Sequence, residues 1–209
     1  YIGDWSSDVC SSDLFRDAGG LWDRYPVEQV ATPEGYQRDP ALVINFYNER
    51  RKQLLDVTPN RGHELLAELE KNFRVTVVTQ NIDNLHERAG SSHIIHLHGE
   101  LTKVCSSRDP YNPHYIKELK PEEYEVKLGD KAGDGTQLRP FIVWFGEAVP
   151  EIETAIQYVE KADIFVIIGT SLNVYPAAGL LHYVPREAAV YLIDPKPVDT
   201  HTDRKSTRL

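Results

Sequence analysis

"TVVTQNIDNLH", residues 76–86, opens as a buried strand and turns abruptly polar. Val75, Thr76, Val77, Val78 and Thr79 make an almost continuous apolar run, the pattern of a strand covered on both faces. Gln80, Asn81 and Asp83 then crowd its end, supplying more hydrogen-bonding capacity than a plain turn needs. In an open α/β sheet, ligands bind beyond the carboxyl ends of the strands. These three side chains are therefore candidate binding groups.

Two further runs share the strand pattern, residues 163–168 and 189–193, and helical patterns fall between the runs. Asn60 can cap a helix whose apolar positions are Leu65, Leu66, Leu69 and Phe73, and residues 150–161 read as another helix. The alternation predicts an α/β fold, a Rossmann-like parallel sheet with helices on both faces. Two stretches break the rhythm. Residues 32–56 read as a helical excursion, and residues 105–138 are rich in Pro, Gly, Tyr and charge. Both are read as insertions that build a smaller lobe. The main domain is then assembled from residues 15–30, 59–99 and 139–200, and the small lobe from residues 31–58 and 100–138.

Bulk properties limit the partners. The 209 residues can bury a sizeable core, and 23 basic against 32 acidic residues leave a net charge of −9. That balance argues against general affinity for nucleic acid or an anionic membrane. The longest apolar runs are too short to cross a bilayer, and a cytoplasmic protein is expected. Cys10 and Cys105 cannot build a disulfide framework.

Several other strips carry chemistry-bearing residues. Gly169, Thr170 and Ser171 follow a buried strand and precede Pro176-Ala177-Ala178 at a helix start, so their amides and hydroxyls could hold a phosphate; an ordinary strand-to-helix turn is the alternative. Asp194, in "LIDP", could accept hydrogen bonds from ribose hydroxyls or simply form a turn. In "HIIHLHGEL", His96 and His98 fall on one face of an extended segment, suited to metal, to proton transfer or to structural hydrogen bonding. Gly99 beside them would let a ligand approach closely. "VWFG", residues 143–146, reads as an aromatic-flanked strand whose edge could pair with an extended peptide, and core packing explains its aromatics equally well.

The helix "DPALVINFYNERRKQLLD", residues 39–56, is the most informative. Val43, Tyr47, Arg50 and Leu54 recur at spacings of four, three and four, which places Arg50 on the apolar stripe. Arg51 and Lys52 read as a solvated face. A guanidinium beside a buried surface needs an anionic partner, either an internal carboxylate or a substrate acid, and Tyr47 could share that anion.

Taken together, Phe15-Arg16-Asp17, Thr79-Gln80-Asn81-Ile82-Asp83, Leu97-His98-Gly99, Val143-Trp144-Phe145-Gly146-Glu147 and Gly169-Thr170-Ser171 resemble the sirtuin family of NAD-dependent protein deacylases. The match runs from residue 15 to residue 195 with the strips in family order. Ala31-Thr32-Pro33 and the Tyr47-x-x-Arg50 pair resemble the class III, desuccinylase and demalonylase branch. The resemblance implies NAD as cofactor and acyl-lysine proteins or peptides as partners. Preferred acyl groups would be succinyl, malonyl or glutaryl, with deacetylation alongside. It further implies that Gln80, Asn81 and Asp83 surround the nicotinamide and its ribose, and that Phe15 and Arg16 close over the cofactor. Gly169, Thr170 and Ser171 would meet phosphates and ribose, with Asp194 near the adenosine end. His98 would be the general base with Asn81 beside it as a catalytic residue. Val143, Phe145 and Gly146 would hold the peptide, Ala31 would leave room for the acyl group, and Tyr47 and Arg50 would bind its distal carboxylate. Products would be free lysine, nicotinamide and an acyl-ADP-ribose.

The chain departs from the family in two places. Many sirtuins hold a zinc between two cysteine pairs; Cys105 stands alone in its lobe, a tetrahedral thiolate site needs four ligands, and no zinc is expected. Phe15 is preceded by "YIGDWSSDVCSSDL", in which Gly3 is the one glycine, where the family carries a Gly-Ala-Gly-x-Ser loop. Residues 1–14 and 201–209 are accordingly expected to be non-native ends of a truncated chain. A catalytically impaired binder of NAD or ADP-ribose is the alternative to a deacylase, and a metal hydrolase using His96 and His98 is the third reading.

Overall fold

The computed structural model describes residues 25–170 and 175–193, together with the backbone of strand residues 207–208. Phe15, Arg16, Ser171, Asp194 and Cys10 lie outside the described residues, as does the amino-terminal segment read as non-native. In chain order, helix α1 (Val27–Val30) is followed by α2 (Pro33–Arg38) and α3 (Pro40–Leu55), which form the helical excursion. Helix α4 (Arg61–Leu69) leads into β1 (Val77–Thr79), α5 (Leu85–Ala89) and β2 (Ile94–His96). Strands β3 (Gly99–Ser106), β4 (Lys117–Glu118) and β5 (Leu138–Ile142) follow. Helix α6 (Ile152–Val159), β6 (Ile164–Ile168), β7 (Ala189–Ile193) and β8 (Thr207–Arg208) complete the order.

Strands β1 and β2 pair in parallel, as do β6 with β7 and β7 with β8. The fold is thus the expected α/β type, with Val78, Leu97, Val159, Phe165, Ile167 and Leu180 packed into one core between strands and helices. The middle of the chain is antiparallel, in the order β4-β3-β5. A second core of Val30, Val43, Phe46, Tyr47, Leu85 and Trp144 ties the helical excursion to β1's outgoing loop and to the segment after β5. Among the described residues, no helix is long and apolar enough to cross a membrane.

Local chemistry explains the element ends. Asn60 accepts from the His63 amide at 3.1 Å while His63 Nδ1 accepts from the Asn60 amide at 3.2 Å, a reciprocal cap on α4. Asp39 caps α3 through the Leu42 amide, with Pro40 at the first helical position.

Three expectations require correction. Arg51 does not lie on a solvated face: it is 3% exposed, and its Nε donates to the Leu101 carbonyl at 2.7 Å. Helix α3 is covered on this side too, because β3 and the Val126 strip pack there. Asn48 exchanges two hydrogen bonds with the Val126 backbone and accepts from Arg51 Nη1. Second, α4 ends at Leu69, short of Phe73, and of the four apolar positions expected on it only Leu66 is buried; Leu65, Leu69 and Phe73 are exposed, facing a groove of about 1100 Å³ that Val166 and Ile168 also line. Third, the strand expected at residues 143–146 ends at Ile142, and Phe145 and Gly146 lie in a turn with Gly146 at φ 91°.

Candidate active site

The end of β1 turns because Thr79 serves both sides of the bend. Its carbonyl accepts from the Leu97 amide at 2.9 Å, and its hydroxyl accepts from the Asn81 amide at 3.0 Å. Asp83 then accepts from the Leu85 amide at 3.0 Å and fixes the entry to α5. The polar strip is therefore held by its own backbone rather than left as a loose loop.

Gln80 reaches across to the other strand end, where its Nε2 donates to the Thr170 hydroxyl at 3.3 Å. Two of the sequence-predicted binding groups, separated by 90 positions, are thus adjacent. Gly169, between β6 and Thr170, has φ 59°, a conformation that favours glycine.

His98 Nδ1 donates to the Gln80 carbonyl at 3.1 Å. That bond selects the tautomer with its proton on Nδ1 and leaves Nε2 with a bare lone pair. Burial pushes the ring below the ordinary histidine pKa, and the Gln80 carbonyl only partly opposes it. A base of this kind stays neutral, and so able to take a proton, down to more acidic pH. We therefore predict that the acid limb of a kcat/KM profile, which reports the free enzyme, falls below the ordinary histidine value of about 6.5. A limb at or above that value would assign the base elsewhere.

The two histidines part company. His96 turns to Glu87, with Nε2 at 2.7 Å from the carboxylate, while Nδ1 donates to the Asn81 carbonyl at 3.0 Å. Glu87, His96 and Glu100 bring polar side-chain atoms within 4.8 Å of one another, but Glu87 is paired to His96 and Glu100 to Lys103. His98 takes no part in that cluster, which weakens a hydrolase that uses both rings. Gly99 is explained by packing, not by a ligand: at φ 82°, a Cβ there would lie 2.1 Å from the Phe141 carbonyl oxygen.

Several of the groups assigned to the substrate are linked by hydrogen bonds to His98 or to one another. The Val143 amide donates to the His98 carbonyl at 2.9 Å, and the Phe145 amide to the Ala31 carbonyl at 3.0 Å. These amides are occupied within the chain, so they are not the ones a substrate strand pairs with. Phe145 keeps its ring 58% exposed, and Ala31 is buried. Trp144 points inward, and its indole Nε1 donates to the Tyr47 hydroxyl at 3.0 Å. Burial pushes Tyr47 up to about 12, so it stays a neutral phenol. Arg50 is 5% exposed, with Nη1 bonded to Gln53 and its guanidinium 4.7 Å from the Phe46 ring centroid.

One network had no counterpart in the sequence reading. Arg139, 4% exposed, places both terminal nitrogens on the Glu147 carboxylate at 2.7 and 3.0 Å, and the same carboxylate accepts from the Trp144 amide at 2.8 Å. The Arg139 guanidinium also lies 3.6 Å from the Trp144 ring centroid. The pair staples the turn that carries Phe145 and Gly146. Its only sequence signal is a cation inside the apolar run "LRPFIVWFG" with a carboxylate directly after it. Cys105, by contrast, is fully buried, with its thiol against the Pro140 carbonyl at 3.7 Å and its pKa pushed up to about 12 by burial.

Amide, carboxylate, hydroxyl and glycine groups at the ends of parallel strands, beside a neutral imidazole, fit the sugar and amide portions of a dinucleotide in an α/β protein. The chain belongs to the Sir2 family, whose model matches residues 8–176. It is 93% identical over 190 residues to an NAD-dependent protein deacylase of Bacteroides thetaiotaomicron, a match covering 91% of this chain and 81% of the relative. A Sir2 homologue solved as its NAD complex superposes with a TM-score of 0.76 at 38% identity, over 87% of this chain and 71% of that one. A Sir2 protein bound to acetylated peptide superposes with a TM-score of 0.71 at 30% identity, over 88% of this chain and 78% of that one.

Proposed function

We propose that this chain removes acyl groups from protein lysines in an NAD-dependent reaction and prefers acidic acyls, succinyl, malonyl or glutaryl, with deacetylation alongside. The observation that carries the preference is the Trp144–Tyr47 hydrogen bond. It joins the helix bearing Tyr47 and Arg50 to the turn assigned to the substrate across 97 positions, and the Phe145 amide of that turn donates to the Ala31 carbonyl, which supports a phenol and a cation close to the acyl end of the substrate.

Gln80, Asn81, Asp83, Gly169 and Thr170 would hold the cofactor, together with Phe15, Arg16, Ser171 and Asp194 outside the described residues. When bound, NAD would supply a ribose carbon at which the acyl oxygen of the modified lysine replaces nicotinamide, and water would then displace the lysine amine, giving free lysine, nicotinamide and an acyl-ADP-ribose. His98 would take a proton from a ribose hydroxyl at Nε2, while its Nδ1 keeps its own proton and donates it in the hydrogen bond to the Gln80 carbonyl. Val143, Phe145 and Gly146 would hold the peptide through groups other than the Val143 and Phe145 amides, which are occupied within the chain, with the exposed Phe145 side chain available to it. Arg50 keeps its charge although burial lowers its pKa, since arginine starts well above neutrality.

Arg50→Met tests the acyl assignment. It is expected to lower kcat/KM for a succinyl-lysine peptide by roughly 10-fold or more, the scale of a lost hydrogen bond to a charged group, and to leave an acetyl-lysine peptide within about twofold. Equal losses on both peptides, measured by mass spectrometry, would return Arg50 to a structural role.

A further inference from the structure

We propose that His96 is a positioning residue: as an imidazolium clasped between the Glu87 carboxylate and the Asn81 carbonyl, it fixes the strip that offers Gln80 and Asn81 to the nicotinamide end of the cofactor. This rests on the reading of residues 80–83 as the cofactor-binding strip. The geometry is direct. A neutral imidazole has one donor and one acceptor nitrogen, yet both ring nitrogens of His96 face oxygen acceptors, at 2.7 Å on Glu87 and 3.0 Å on Asn81. Satisfying both requires a proton on each nitrogen. His98 makes the contrast: one nitrogen faces the Gln80 carbonyl, and among the described residues no acceptor faces the other.

Successive carbonyls of the strip, Gln80 and Asn81, are thus each held by a histidine, one neutral and one charged. His96 is 9% exposed, so its bond to Asn81 is shielded from water. Burial alone would lower its pKa, but the hydrogen bond and charge of Glu87, the Asn81 carbonyl and the charge of Glu100 outweigh burial and raise it. Glu87 moves the opposite way: burial would raise it, and the His96 contacts pull it below the usual carboxylate value. The charged groups acting on the ring are Glu87 from α5 and Glu100 from β3, with His86 acting on Glu87 and Lys103 paired to Glu100. Lys103 is spent on Glu100 at 2.7 Å, and one Asp83 carboxylate oxygen accepts from the Leu85 amide.

The sign follows from the raised pKa. The contribution of His96 is complete below the ordinary histidine value and is lost as pH rises through its folded-state pKa. In that range His98 is already neutral, because burial lowers its pKa, and so it cannot generate the same transition.

Long-range proton–nitrogen spectra of the cofactor-free protein, with His96 assigned by difference from His96→Gln, are expected to show both ring nitrogens protonated at neutral pH. Calorimetry is expected to show NAD affinity falling roughly tenfold as His96 loses its proton, the scale of a lost hydrogen bond to a charged group. In Glu87→Gln, the spectral transition and the affinity loss should move together to lower pH, and Glu87→Asp should restore both. A singly protonated His96 at neutral pH, or an affinity profile that Glu87→Gln does not displace, would overturn the proposal. Absence of NAD binding at every pH would overturn the reading of the strip itself, an outcome the cofactor-free spectra separate from the protonation state of His96.

Discussion

Alanine in place of His98 is expected to lower deacylation by roughly 10²- to 10⁴-fold, the range a positioned general base contributes. The fold should survive, since the substitution removes one hydrogen bond to the Gln80 carbonyl, a loss of about 1 kcal/mol. The two readouts diverge because the imidazole does two things with two atoms: Nδ1 anchors to the strip and Nε2 stays bare. Urea unfolding beside a turnover assay separates them. Retained turnover would place the base elsewhere, and a collapse of stability would show that His98 is chiefly structural.

Glu147→Ala is expected to be the most destabilising single change in the turn after β5, at about 3–5 kcal/mol, as for a buried pair broken on one side. The carboxylate accepts from both terminal nitrogens of Arg139 and from the Trp144 amide, so its removal leaves a buried cation without its counter-charge, bonded only to backbone carbonyls such as that of Ile142, and strands a backbone donor. In the intact protein, burial would lower the pKa of Arg139, but the Glu147 hydrogen bond and charge raise it. Replacing both partners, Arg139→Met with Glu147→Leu, should recover much of the loss, because apolar side chains of similar size carry no desolvation cost. A loss below about 1 kcal/mol for Glu147→Ala, the scale of a surface ion pair, would mean that the turn is not held as described. The turn carrying Phe145 hangs on this pair, so a higher KM for peptide should accompany the loss of stability.

What the sequence disclosed, and what it withheld, follows the range of the interactions. Strand ends are legible because an apolar run that stops in Gln, Asn and Asp is a local pattern; β7 coincides with the run at residues 189–193, and β1 is the last part of its run. The stripe on α3 is legible for the same reason, and Val43, Tyr47, Arg50 and Leu54 are all buried. Arg51 was misplaced because its partner, the Leu101 carbonyl, lies 50 positions away and leaves no periodic trace. The Arg139–Glu147 pair hides similarly: its members flank an apolar run and meet only because the chain turns at Phe145 and Gly146. The exposure of Leu65, Leu69 and Phe73 shows the limit of periodicity, which identifies an apolar face on α4 but not what covers it.

The association of residues 80–83 with His98 and Thr170 gives this site its chemistry, and one measurement addresses it most directly. A succinyl-lysine peptide is incubated with the protein, with and without NAD, and followed by mass spectrometry. Loss of the succinyl group and release of nicotinamide only when NAD is present, both abolished in His98→Ala, are the predicted result. Binding of NAD with the peptide left intact, or loss of the succinyl group without NAD, would contradict it.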